Sequence, residues 1–169
     1  MSIQQKNKGF TIIEVVLVLG IAGLIFLMVF IAYPAVSRGV RDSQRKRDLT
    51  LAMAAISNYS NNNRGDLPNL STPILAANFI SSYLTIGGDK FLDPSGANSS
   101  DLTATTYTFS ANTTLTTYPV SFDAAANQNV IYYATGYTCG TGGAITAAGS
   151  RKISLRMALE GGGSTCQSN

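Results

Sequence analysis

The chain has 169 residues, 45% of them hydrophobic and only 12% charged, with a formal net charge of +3. That size fits one small domain with an attached segment, and the absence of His excludes His-based triads, His-ligated zinc and HExxH-type metalloenzymes. Lys6 and Lys8 stand in the first nine residues, and without them the net charge falls to +1, so basicity is no argument for a nucleic-acid partner.

Residues 1–9 are short, polar and basic and end in Gly9. The stretch Lys8-Gly9-Phe10-Thr11-Ile12-Ile13-Glu14 then opens an apolar run that continues to Tyr33, in which Glu14 is the one charged residue. As a helix that run spans about 33 Å, the thickness of a hydrocarbon core. It is too long for the apolar part of a cleaved secretory signal, which is about 7–15 residues, and so predicts a membrane-spanning helix that stays with the protein. A carboxylate inside such a span is a functional-site candidate by default. The plainer role for Glu14 is stabilising a helix N-terminus through the macrodipole. Pro34 predicts a kink near residues 30–34, with Gly20 and Gly23 as further weak points and as small residues that let neighbouring helices approach.

No turn cluster follows until Asn61-Asn62-Asn63-Arg64-Gly65, so the helix is expected to run on to that cluster. Val36, Val40, Leu49, Met53, Ile56 and Tyr59 recur at helical spacing and are expected to pack on the rest of the domain. Arg41, Arg45 and Asp48 are assigned to the opposite, solvated face. Arg38 to Arg47 is basic, but Asp42 interrupts it, which argues against a nucleic-acid patch. Counted naively, the basic residues after the span outnumber those before it and would place the C-terminal part inside; the N-terminal motif and the two cysteines point outward and override that count.

From Asp66 to Asp101 the chain reads as a connecting region punctuated by Pro68, Pro73 and Pro94, with a short helix over Ile74–Tyr83. Asp93, Asn98 and Asp101 offer oxygen ligands in a loop and make a weak calcium candidate. Their spacing is not that of an EF-hand, and a Pro-Gly turn is the preferred reading. Four stretches then read as strands: Thr105–Ser110, Tyr118–Phe122, Asn129–Gly136 and Lys152–Leu159. Tyr107 with Phe109, and Ile153 with Leu155, Met157 and Leu159, are expected on the face against the long helix. The fold class is therefore α+β, a long N-terminal helix on a small antiparallel sheet. Gly161-Gly162-Gly163 lacks the Lys-Ser/Thr of a phosphate loop.

The run from Lys8 to Glu14, followed by an apolar 20-mer, resembles the class III leader of type IV pilins and pseudopilins. The resemblance implies a leader at 1–9, a transmembrane and filament-core helix at 10–34, an amphipathic half at 35–64 and a globular head at 65–169. It implies cleavage between Gly9 and Phe10 by a prepilin peptidase and methylation of the new Phe10 amine. It also implies pairing of Glu14 with a neighbouring subunit's Phe10 amine, which sets filament register. In an exported chain Cys139 and Cys166 read as a disulfide closing a C-terminal loop, with a redox pair disfavoured by a spacing far from CxxC. The partners implied are the chain itself as a helical homopolymer, the membrane before assembly, and an assembly platform with its ATPase. No cofactor is implied, and nothing in the residues supports nucleic acid binding. The expected function is that of a structural pilus subunit at the cytoplasmic membrane and then outside the cell. Alternatives are a pseudopilin of a secretion or competence machine and a non-polymerising, membrane-anchored binding module. No constellation of base and nucleophile suggests an enzyme.

Overall fold

The computed structural model describes residues 9–86, 90–94, 106–112 and 129–169. The chain divides into two compact units, Met1–Ser37 and Arg38–Asn169. Helix α1 covers Ile12–Asn62 and carries Pro34 in its interior. In the first unit the helix is apolar on every side, and none of its most hydrophobic window is buried.

In the second unit α1 continues on the alternate apolar pattern and ends where the Asn/Gly cluster predicts. Arg64 and Gly65 adopt left-handed φ values of 58° and 92°, and the Gly65 amide closes back on the Ser60 carbonyl at 2.8 Å. Glycine reaches that conformation without a Cβ penalty, which is why the helix stops there. Helix α2, Pro73–Tyr83, matches the short helix expected over Ile74–Tyr83. Thr72 caps it by accepting the Leu75 N–H, and Pro73 at its first position gives up no hydrogen bond.

The strands are β1 (Thr108–Ala111), β2 (Val130–Thr135), β3 (Tyr137–Cys139), β4 (Ile145–Ala147), β5 (Ile153–Ala158) and β6 (Ser164–Ser168). One sheet has the order β1-β2-β5-β6, and β3 and β4 form a two-stranded sheet. All the pairings are antiparallel except β1 with β2, which is parallel. Three of the four expected strands correspond to β1, β2 and β5; the fourth, Tyr118–Phe122, lies outside the described residues. β3, β4 and β6 were not expected, because Ser164-Thr165-Cys166-Gln167-Ser168 has no apolar alternation to mark it.

The core joins Leu49, Ala52 and Ile56 of α1, Phe79 and Ile80 of α2, Ile131 of β2 and Ile153, Leu155 and Met157 of β5. Each large aliphatic side chain taken wholly from water contributes about 1.5–3 kcal/mol. Ile153, Leu155, Met157 and Leu159 are buried as expected, and so is Tyr107, while Phe109 packs edge-on to Phe79 at the core's margin. Val36 and Val40 do not join this face: they are 64% and 62% exposed. Nine residues separate Val40 from Leu49, about two and a half helical turns, so the two point to opposite sides.

Cys139 of β3 and Cys166 of β6 form a disulfide with a Cα–Cα distance of 5.9 Å. It joins the small sheet to the large one. Cys139→Ser should lower the head's stability by about 2–5 kcal/mol, read as a drop in the denaturant midpoint of the purified chain. An unchanged midpoint would show that packing alone holds β3 and β6 together.

Candidate functional site

Two sites stand out, one in each unit. At the start of α1, Gly9 and Phe10 are exposed and outside the helix. Thr11 caps the helix, its carbonyl accepting the Glu14 and Val15 amides at 3.1 and 3.3 Å. Glu14 turns back on Thr11. Its Oε2 accepts from the Thr11 amide at 2.9 Å and from Thr11 Oγ1 at 2.7 Å, and the Glu14 amide lies 3.4 Å from the same hydroxyl.

This is a reciprocal capping box, in which Ser or Thr and a Glu three residues on satisfy each other's free donors. Beyond the macrodipole role expected of Glu14, the structure adds Thr11 as its partner. The signal was present: Thr11-Ile12-Ile13-Glu14 before an apolar run has the required spacing. Phe10 is 88% exposed and, like Gly9, lies outside the helix. Gly20 and Gly23 stand in open space, where an added Cβ would meet nothing within 4 Å.

The second site is a buried ionic cluster in the head, and it overturns an expectation. Arg45 and Asp48 do not lie on a solvated face. Arg45 is 0% exposed and Asp48 8%. Helical phase explains this: Arg45 stands four residues before Leu49, and Asp48 four before Ala52, so both share the core-facing side.

Arg45 donates from Nε and Nη2 to the two oxygens of Asp93 at 2.7 and 3.0 Å. It also reaches Asp42 Oδ1 at 3.1 Å and Glu160 Oε1 at 3.0 Å. Arg41, half-buried, donates to Glu160 from Nη2 at 2.6 Å and from Nε at 3.0 Å. Asp42 in turn accepts the backbone N–H groups of Glu160 and Gly161, each at 2.8 Å. Gly161 permits that approach, since a Cβ there would meet Asp42 Oδ2 at 3.0 Å.

Burial works against the charge on Arg45, but its bonds to Asp93 and Glu160 outweigh that and hold it above the ordinary arginine value. Burial pushes the Asp48 carboxyl up, and the hydrogen bond donated by Tyr107 at 2.9 Å only partly offsets it. Removing Arg45, which Asp42, Asp93 and Glu160 share, would leave uncompensated buried charge and cost about 3–5 kcal/mol. With both of its oxygens engaged by Arg45, Asp93 is committed to the fold; Asn98 and Asp101, the other calcium candidates, lie outside the described residues. Among the described residues no group of His, Cys, Asp or Glu is arranged to hold a metal ion.

Comparison with known proteins bears on the first site. Residues 4–30 match the family model of the prokaryotic N-terminal methylation motif. No curated protein and no solved structure matches the chain. The match covers residues 4–9 of the N-terminal segment, the Gly9–Phe10 junction, Thr11, Glu14 and most of the apolar run. The chain therefore carries the signature of type IV pilin-like precursors, a structural family whose leader is cut by a prepilin peptidase and whose apolar helix anchors the precursor in the membrane.

Asp48 generates a pH prediction. Because the folded state binds the Asp48 proton more tightly than the unfolded chain does, its ionised form weakens the fold. That penalty is relieved as pH falls through the raised pKa. Asp48→Asn keeps an acceptor for Tyr107 and removes the charge. Thermal unfolding at pH 7 should show the variant at least as stable as the parent, with the difference closing on acidification. A variant less stable by one margin at every pH would contradict this.

Proposed function

We propose that the chain is the subunit of a type IV pilus, cut between Gly9 and Phe10, methylated on the Phe10 amine and polymerised through its N-terminal helix. The observation that carries this reading is a methylation motif running directly into an apolar helix of which nothing is buried. A helix with that surface needs lipid around it first and other apolar helices afterwards. In the filament, Glu14 pairs with the Phe10 amine of a neighbouring subunit. Two charges brought into an apolar bundle are each costly alone and favourable together, so the pair fixes axial register. Pro34, Gly20 and Gly23 supply the points at which the helix bends or loosens as it leaves the bilayer. The assembly platform and its ATPase provide the work of extraction, and the heads form the extracellular surface.

The Thr11–Glu14 capping box adds a physical detail to that account. It holds the carboxylate at the mouth of the helix while the subunit waits in the membrane, sparing the donors at the helix start and Glu14 from standing unsatisfied. A pseudopilin of a secretion or DNA-uptake machine would share the leader and the helix; the Cys139–Cys166 bridge favours the pilus reading, since a disulfide-closed C-terminal loop resembles pilins more than most pseudopilins.

Glu14→Ala should leave a processed, membrane-inserted subunit that yields roughly tenfold fewer sheared fibres or less, the weight of about 1.4 kcal/mol per subunit contact. Normal fibre yield from a stably processed Glu14→Ala subunit would remove Glu14 from the assembly mechanism.

A further inference from the structure

The turn between β5 and β6 has an unusual composition for a segment docked on a helix. Leu159 is buried, but the next four residues are Glu160, Gly161, Gly162 and Gly163. Beyond Leu159 the turn thus has no apolar side chain with which to hold its place, and its glycines lose more conformational freedom on ordering than other residues do. What fastens it is polar: the Glu160 and Gly161 amides on Asp42, and the Glu160 carboxylate between Arg41 and Arg45.

We propose that Asp42, Arg41, Arg45 and Glu160 form an ionic latch, which lets this turn undock from α1 as a unit while the sheet stays folded. Three features make the turn separable. It is closed on itself, with the Leu159 amide on the Gly163 carbonyl and the Gly162 amide on the Leu159 carbonyl, both at 3.1 Å. The β5–β6 ladder pairs Ala158 with Ser164 and continues to Ser154 with Ser168, so both strands stay in register on either side of it. The disulfide from Cys166 to Cys139 fastens β6 to β3 independently of the turn.

Charge-assisted bonds are short and, where bidentate, geometrically specific, so the engaged latch holds the turn at one position against α1. Undocking strips Arg41 and Arg45 of one shared carboxylate. Arg45 keeps Asp93 and Asp42, so the buried guanidinium is not abandoned when the turn leaves. That redundancy separates a latch from a core salt bridge. The charged face of α1 that the turn covers would be presented in the open state.

The test is residue-resolved amide exchange on the full chain in detergent, comparing the parent with Glu160→Gln and with Arg41→Gln. Neither substitution touches Asp42, so the Glu160-position and Gly161 amides keep their acceptor. Faster exchange there reports opening of the turn and not a deleted bond. Both variants should speed exchange at residues 160 and 161 by about fivefold or more, and in parent and variants alike these amides should exchange well ahead of those of β2 and β5 and with far weaker dependence on denaturant. Unchanged exchange in the turn from either variant would overturn the latch. So would turn amides that exchange at the same rate and with the same denaturant dependence as those of β2 and β5, because the turn would then open only with the whole core; Arg41 is half-exposed, and its replacement separates that outcome from simple misfolding.

Discussion

A long apolar surface with nothing buried against it sets the terms for this protein. Phe10, Leu24, Phe26 and Phe30 all stand exposed along the first unit, as do the aliphatic residues between them. Exposed apolar area on that scale is not stable in water, and it marks a membrane or a protein interface. The single carboxylate of the stretch sits at its start, where a helix N-terminus and Thr11 make a charge least costly. Everything proposed about processing and assembly follows from covering that surface twice, first with lipid and then with copies of itself.

The second unit obeys different rules. Its core is an ordinary apolar cluster of α1, α2, β2 and β5, yet the end of α1 nearest Arg38 is held by charge. Asp42, Arg45, Asp93 and Glu160 gather there, where beyond Leu159 the β5–β6 turn offers no apolar group with which to pack. Such clusters add little net stability over an apolar replacement, since desolvation offsets most of the attraction. What they supply is geometry. Arg45 fixes Asp93 and the β5–β6 turn at defined distances from one helix, and Tyr107 does the same for β1's approach through Asp48.

The long helix, its Asn/Gly terminus, α2 and the strands β1, β2 and β5 were legible because each carries a period or a punctuation mark. The leader was legible because its residues sit at fixed offsets. Two kinds of feature were not. Arg45 and Asp48 read as surface because charged side chains are almost never fully buried unless paired, and their partners Asp93, Glu160 and Tyr107 are 48, 115 and 59 residues away in sequence. Val36 and Val40 read as core because apolar spacing was followed across a gap of nine residues, where the helical phase inverts. β6 was hidden by a polar sequence whose strand character comes from its partner β5 and from Cys166. The Thr11–Glu14 pair is a separate case: its Thr-x-x-Glu spacing before an apolar run is a capping-box pattern that lies inside the leader motif.

The central claim is that the mature chain begins at Phe10. Mass spectrometry of the N-terminal peptide from protein sheared off cells tests it most directly. The account predicts a peptide starting at N-methylated Phe10, abundant in the sheared fraction. A peptide starting at Met1 or Ser2, with the protein retained in the membrane fraction, would contradict it and leave an uncut, membrane-anchored surface module in its place.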